Sequence, residues 1–343
     1  MNTEVLPIHN ATLFEAAAEK AAALLDRGEV VALPTETVYG LAADALNPAA
    51  VQSIYHTKKR PATNPLIVHI ASRTMLKTYV REWPELAEKF ASAFWPGPLT
   101  LVLPKADCIT SDITAGLDSV AIRWPAHPFM QAVIRKLGRP LAAPSANLAN
   151  QLSPTSAEHV LSQLNHRIPL IIDGGFSNVG IESTVLSLCR NEPTVLRPGI
   201  IHLESLQAVD PATRKLSTSS KPLNQENSTQ PQASPGLHRK HYAPKARLKI
   251  HQWDSASNLA SWVEALDTTP SKTCVLCHEK IPSPDTFLRV SVIPHDPEAY
   301  ARALYAELFI ADQEKPDLIL VESVPDTSAW QGIRDRLTRA STD

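Results

Sequence analysis

One stretch governs what this 343-residue chain can become. From Ser217 to Ser234 it is Ser, Thr, Gln, Asn and Pro with few large apolar side chains. Such a run cannot bury enough surface to offset the entropy of ordering it. It reads as a linker, so the chain is expected to fold as two units, one on each side. Charge and glycine divide at the same place. Residues 1–204 carry a net charge of −1, residues 205–254 of +5 and residues 255–343 of −6. Nine of the 11 glycines lie in the first 200 residues. Glycine permits tight turns and close backbone approach, which marks the N-terminal unit as the one shaped around a site. The boundaries read as an N-terminal domain over 1–205, a linker over 206–245 and a small α/β domain over 246–343.

Within the first unit, helix and strand patterns alternate. Thr12 and Glu15 have the spacing of a capping box before an alanine-rich run closed by Gly28, predicting a helix over 13–27. Asn47-Pro48 opens another helix, and further helices are expected over 82–94, 128–137 and 155–164. Strands are expected over 29–33, 66–70, 99–103, 119–123, 141–143, 170–173, 183–187 and 194–197. The last two follow one another without a helix, so the sheet should be mixed rather than purely parallel. After Leu248, strands over 248–252, 274–277, 289–293 and 318–321 alternate with helices over 257–266, 297–311 and 328–339.

Several function classes are excluded. Four cysteines in a chain of this length do not make a disulfide scaffold. No apolar run approaches the length of a membrane span, and the acidic N-terminus has no secretory n-region. A soluble, cytoplasmic protein is expected. The sequence has no phosphate-binding P-loop, no dinucleotide fingerprint, no metalloprotease motif and no nucleophile elbow. The one C-x-x-C, Cys274 to Cys277, lacks the second pair that a structural zinc needs, and no protein-held metal is expected.

Chemistry-bearing residues gather at strand ends. PTETVYG (Pro34 to Gly40) places Thr35, Thr37 and Tyr39 after a strand, where ligands of α/β proteins bind. KKRPATNPLIVH (Lys58 to His69) holds Lys58 and Arg60 in a loop stiffened by two prolines, suited to phosphate oxygens. Arg123 ends an apolar strand and needs an anionic partner, either a protein carboxylate or a substrate. APSANLANQLSPT (Ala143 to Thr155) offers small side chains and hydroxyls. IDGGFSNVGIESTV (Ile171 to Val185) and LRPG (Leu196 to Gly199) add glycine turns and Arg197.

In this order the strings PTETVYG, K-x-R-P-x-x-N-P-L, WPGPLT, AGLDSVAIRWPAHP, APSAN…SPT, GG…VGIESTV and LRPG resemble the YrdC-like domain of the threonylcarbamoyl-AMP synthases, over about residues 12–200. With SPG…HYAPK in the linker, the whole chain resembles the longer, Sua-type members. The family's SAN-x-SG is replaced by Ser145-Ala146-Asn147-Leu148-Ala149-Asn150, and Ser119 stands where the family often has Thr. The resemblance implies a twisted mixed sheet flanked by helices plus a small Rossmann-like α/β C-terminal domain. It implies synthesis of L-threonylcarbamoyladenylate from L-threonine, bicarbonate and ATP, with pyrophosphate released. The product serves the threonylcarbamoyl modification of adenosine 37 in tRNAs reading codons that begin with A. By matching motif, Lys58, Arg60, Asn64, Ser119, Ala143, Ser153, Arg197 and Tyr242 would hold ATP. Thr35, Thr37, His69, Arg123, Ser145 and Ser183 would hold threonine or its carbamate, with Lys58, Arg60, Ser145 and Asn147 closest to the chemistry. Mg²⁺ would come on the ATP phosphates. The downstream tRNA threonylcarbamoyl-transfer machinery and a weak tRNA contact complete the expected partners. Two other readings stay open: an RNA-binding module, and a carbamoyl transferase of the hydrogenase-maturation type. Finally, SPGLHRKHYAPK is expected to close over the first domain's cleft, with Tyr242 on the nucleotide and the acidic second domain serving as its anchor.

Overall fold

The structure, a computed structural model, describes residues 2–216, 242–255 and 258–341. Residues 217–234 and the lid motif up to His241 lie outside them; Tyr242 lies inside.

Eleven strands form one mixed sheet. They are β1 (Glu4–Pro7), β2 (Val31–Leu33), β3 (Gly40–Asp44), β4 (Ile67–His69), β5 (Leu99–Pro104), β6 (Ser119–Arg123), β7 (Leu141–Ala142), β8 (Leu170–Asp173), β9 (Thr184–Ser187), β10 (Thr194–Arg197) and β11 (Arg214–Lys215). Their order across the sheet is β1-β8-β2-β3-β7-β4-β6-β5-β9-β10-β11. Parallel and antiparallel neighbours are interleaved: β4 runs parallel to β6 and antiparallel to β7, for instance.

The two faces of this sheet differ, because side chains alternate along each strand. One face is apolar throughout: Leu41, Val68, Leu101, Ile122 and Leu186 join a core covered by the helices Pro48–Lys58 and Glu85–Phe94. The other face has its own helices over its first half. There the helices Ala11–Asp26 and Pro128–Leu137 bury Val31, Leu33, Leu141 and Leu170. Beyond β7 the core shared with those two helices ends. What remains on that face is a small apolar floor of Ile67, Val102, Ala121, Val185 and Leu196. His69 and Arg123 occupy the same face two residues along β4 and β6.

The second unit has four parallel strands, β12 (Arg247–His251), β13 (Thr273–Cys277), β14 (Arg289–Val292) and β15 (Leu318–Glu322), in the order β12-β15-β13-β14. Cys274 and Cys277 sit three residues apart on β13 and so point to opposite faces, each into a different core. They cannot meet at one ion, and burial pushes their thiols up to about 11 and about 12.

The two units share a core. Val38, Leu152, Ile181 and Tyr242 pack with Tyr300, Tyr305, Leu308 and Trp330. Backbone meets backbone at the same seam: a Cβ on Gly332 would lie 2.7 Å from the Gly199 carbonyl oxygen, and one on Gly180 would lie 2.3 Å from that of Ala301. The second unit is thus more than an anchor for a linker; it docks on the LRPG and VGIES turns.

Several elements differ from the sequence reading. The first helix is capped by Asn10, whose side chain accepts from the Leu13 N–H, rather than by Thr12. A helix over Arg73–Tyr79 and the strand Gly40–Asp44 carry no pattern that sets them apart from loop. The expected 328–339 helix opens with a 3₁₀ turn, Ser328–Trp330, before Gln331–Ala340.

Candidate functional site

A pocket opens beside Ile67 of the first sheet's small apolar cluster, at the C-terminal ends of β4 and β6. It is lined by Thr35, Thr37, Val38, Gly40, Arg60, Ile67, His69, Arg123, Ala143, Pro144, Ser145, Glu182, Ser183, Arg197 and Tyr242. The structure therefore brings together Thr35, Thr37, His69, Arg123, Ser145 and Ser183 with Arg60, Ala143, Arg197 and Tyr242. Lys58, Asn64, Asn147 and Ser153 lie behind its walls, and Ser119 stands at the far end of β6, roughly 13 Å along the strand from Arg123 at about 3.3 Å per residue.

At one end, Arg123 is 4% exposed; Nε and Nη1 donate hydrogen bonds, and Nη2 forms an ion pair but no hydrogen bond. Nη2 lies 2.8 Å from Glu36 Oε1, Nη1 donates to Thr37 Oγ1 at 2.8 Å and Nε to the Gly97 carbonyl at 3.3 Å. The anionic partner found here is thus a protein carboxylate. Burial opposes ionisation of Glu36, but Arg123 reverses that and holds its carboxyl below the usual range. His69, on the neighbouring strand, is pushed down to about 3 by burial and by Arg123, and is neutral at physiological pH. Ser183 Oγ and Thr100 Oγ1 share a hydrogen bond of 2.7 Å. The resulting end is small and rich in hydroxyls, with one neutral imidazole and one guanidinium.

Lys58 closes its helix and is wholly buried. Its ammonium donates to the Ser145 carbonyl, to the Asn147 carbonyl at 2.6 Å and to Asn147 Oδ1 at 3.1 Å. Burial and nearby Arg60 push its pKa well down, yet three acceptors match the three N–H groups of the charged form. Ser145 Oγ donates to the same Asn147 oxygen at 2.5 Å. Lys58 therefore fixes the wall that presents Ser145. Arg60 donates to the carbonyls of Asn64 and Pro65, at 3.1 and 2.8 Å, and burial lowers it to about 10. Among the described residues it meets no carboxylate, so a cation lines the pocket with its charge uncompensated.

Asn150, where the family resemblance expects glycine, has φ +68°. Asparagine is among the few residues that tolerate this left-handed conformation, which explains the substitution. Its carbonyl accepts the Ala243 N–H at 3.0 Å and so ties the segment after Tyr242 to the site. Tyr242 itself is 1% exposed with φ +63°.

Glu182 went unremarked as a site residue because no property of the ESTV string sets it apart from a turn carboxylate. It is buried at the pocket wall, accepts from Ser153 Oγ and from Tyr305 Oη at 3.2 Å, and pairs with Arg336 Nε at 2.7 Å. Tyr305 and Arg336 both come from the second unit. Arg336 also donates to the Pro198 carbonyl at 2.9 Å and lies 5.2 Å from the Tyr242 ring centroid. The second unit thus holds a wall of the first unit's pocket.

The same seam should weaken in acid. His159 stacks on Phe309 with ring centroids 3.9 Å apart, and burial lowers it to about 4. A histidine depressed below its unfolded value of about 6.5 adds stability that is present above that pH and lost as pH falls toward the folded value. Urea unfolding from pH 7 to 4 should show stability falling with acid. His159→Gln should reduce that slope by about 1.4 kcal/mol per pH unit between roughly 6.5 and 4. An unchanged slope would mean that His159 is not buried in its neutral form.

Residues 23–199 match the protein family described as "Telomere recombination", and residues 201–342 match "Threonylcarbamoyl-AMP synthase, C-terminal domain". The chain is 43% identical to the threonylcarbamoyl-AMP synthase of Bacillus subtilis, over 94% of this chain and 92% of that one. It is 39% identical to that of Pyrococcus abyssi, over 94% and 93%. A crystal structure of P. abyssi Sua5 complexed with L-threonine superposes with a TM-score of 0.88 at 37% identity, covering 99% of this chain and 98% of that one. No helix among the described residues is long and apolar enough to cross a membrane.

Proposed function

This chain belongs to the threonylcarbamoyl-AMP synthase family, and we propose that its pocket seats threonine at the Arg123 end and ATP beside Ile67 toward Arg60 and Arg197. The protein is an enzyme that makes L-threonylcarbamoyladenylate from L-threonine, bicarbonate and ATP, releasing pyrophosphate, for modification of adenosine 37 in tRNAs that read codons beginning with A. The placement rests on one observation: ten residues drawn from seven separated motifs converge on one pocket, with the small hydroxyl-rich end around Arg123 and the uncompensated cation Arg60 beyond it.

The two ends suit the two substrates. A guanidinium recognises a carboxylate by paired N–H groups. Thr35, Thr37, Ser145 and Ser183 present hydroxyls of the size and polarity of threonine's own side chain. His69, neutral, can accept or donate a hydrogen bond without adding charge beside Arg123. Ile67, with Val38 on the opposite wall, offers apolar contact for a base, while Arg60 and Arg197 line the pocket on the side given to the phosphates.

Attack of the carbamate oxygen on the α-phosphorus forms the P–O bond of the adenylate and breaks the bond to pyrophosphate. This step asks the protein for alignment and charge stabilisation, not for a covalent nucleophile. Arg60 and Arg197, buried and cationic, are placed to neutralise charge on the departing pyrophosphate. Tyr242 and the segment fixed at Asn150 exclude water from a mixed anhydride that water would hydrolyse. Mg²⁺ enters as a companion of the triphosphate. The two carboxylates near the pocket are already paired, Glu36 with Arg123 and Glu182 with Arg336, which suits an ion held mainly by phosphate and water. Transfer of the product to a downstream tRNA-modifying enzyme, with only weak tRNA contact by this chain, accords with the first unit's net charge of −1.

The test is direct. Protein incubated with threonine, bicarbonate, Mg²⁺ and ATP should yield pyrophosphate and an AMP-linked product that requires threonine. Pyrophosphate release independent of threonine, or no adenylate, would overturn the assignment.

A further inference from the structure

A second cluster of reactive side chains lies far from this pocket in sequence, at the C-terminal edge of the second sheet. In parallel α/β sheets that edge is where ligands bind. Here β13 is followed by His278 and Glu279, β14 is followed by His295, and β15 ends in Glu322, with Ser323 next. Among the described residues, His278, Glu279 and His295 each offer a ligand atom, all within 4.8 Å of one another.

We propose that this edge binds one divalent transition-metal ion of the zinc class through His278 Nδ1, His295 Nδ1 and the Glu279 carboxylate. The hydrogen bonds fix the tautomer that such a site requires. His278 Nε2 lies 3.1 Å from the Ser323 carbonyl, an acceptor only, so it carries the proton and leaves the lone pair on Nδ1. A carbonyl behind the ring is the usual partner of a metal-bound imidazole. Nδ1 of His278 and Nδ1 of His295 then face each other at 2.7 Å. Two imidazole nitrogens this close need a proton or a cation between them. A tetrahedral ion with bonds of about 2.0–2.1 Å holds its ligands roughly 3.3 Å apart. The exposed His295 ring has to withdraw by about half an ångström, its proton moving to Nε2, and the exposed Glu279 carboxylate, now 3.5 Å from that Nε2, has to turn from it to the ion.

The supporting residues are built. Glu322, 3% exposed, accepts the backbone N–H groups of His278, Glu279 and Lys280 at 2.7, 3.0 and 3.2 Å, which fixes the loop that supplies two ligands. Trp330 packs against both rings, with centroids 5.8 Å from His278 and 5.2 Å from His295. Its apolar surface limits water on one side. The net charge of −6 over residues 255–343 draws cations toward the edge. Imidazole ligands select zinc, copper, nickel or cobalt over magnesium or calcium, and three protein ligands leave a fourth position open.

Tag-free full-length protein dialysed against Zn²⁺ alone should retain one ion per chain. Co²⁺ in its place should give the visible absorption of a tetrahedral complex. His295→Ala and Glu279→Gln, both at exposed positions, should each weaken zinc by roughly tenfold or more while threonine and ATP binding stay unchanged. Absence of saturable zinc uptake, or uptake with the same affinity in both variants, would overturn the site and leave the pair as histidines sharing a proton.

Discussion

Arg336→Leu should destabilise the protein by about 3–5 kcal/mol and depress its activity, although Arg336 lies in the second unit. Arg336 is 1% exposed and its pKa is driven up by the anionic and phenolic groups around it. It reaches Glu182 with Nε at 2.7 Å and with Nη2 to the Glu182 carbonyl at 3.3 Å. Removing the guanidinium leaves Glu182 buried beside Ser153 and two tyrosines with its main counter-charge gone. The cost is that of an uncompensated buried charge, several times larger than a surface pair is worth. Because Glu182 also bonds Ser153 at the pocket wall, the loss should appear in catalysis as well as in the unfolding midpoint. A double variant with Glu182→Gln separates the two causes. Once the orphaned charge is gone, the pair should be less destabilised than the sum of the single changes. Additive losses, or an Arg336→Leu protein as stable as the parent, would show that the seam does not depend on this ion pair.

That interaction also shows where reading the sequence stops. The N-terminal motifs were legible because their chemistry is local. A proline-stiffened loop with Lys58 and Arg60, an arginine closing an apolar strand and a hydroxyl-rich turn each span fewer than a dozen residues, and it is their order along the chain that makes them specific. Six residues that the family resemblance marked for threonine, Thr35, Thr37, His69, Arg123, Ser145 and Ser183, line one pocket. The alternation of helix and strand located most elements, and two strands in succession at β9 and β10 announced a mixed sheet. What local pattern could not convey was partnership across distance. Lys58 looks like a phosphate ligand, yet its three donors meet carbonyls 87 and 89 residues away. Glu182 resembles any turn carboxylate until Arg336 arrives from 154 residues on. Gly199 reads as the end of a turn, and only the backbone of Glu182–Thr184, with the Thr184 nitrogen 2.5 Å from where a Cβ would stand, shows that nothing larger than hydrogen fits. The histidine edge of the second unit escaped for the same reason. His278 and His295 are 17 residues apart and follow different strands, with no metal-binding spacing to betray them.

Arg123→Lys should raise the KM for threonine by roughly 10- to 100-fold while moving the KM for ATP by far less. The charge is retained, so any effect reports geometry. Arg123 uses its planar fork in three directions: to Glu36 at 2.8 Å, Thr37 at 2.8 Å and Gly97 at 3.3 Å. A lysine ammonium is a compact point charge on a flexible stem and cannot span these partners at once. Its first consequence is local. Thr37 Oγ1, which is also 3.0 Å from Thr35 Oγ1, loses its anchoring donor, and the hydroxyl end of the pocket loosens. Its second consequence falls on the substrate. Glu36 already occupies one arm of the guanidinium, so an incoming amino-acid carboxylate must share the fork or displace Glu36 from it. Only a group with several N–H donors can serve both carboxylates. An ammonium paired to Glu36 has little left to offer. The nucleotide end, where Arg60 and Arg197 line the pocket, keeps its own charges and should bind ATP nearly as before. Initial rates measured across both substrate concentrations settle the matter. A rise in both KM values by the same factor would mean that Arg123 supports the pocket as a whole, and would remove it as the group that recognises the carboxylate of threonine.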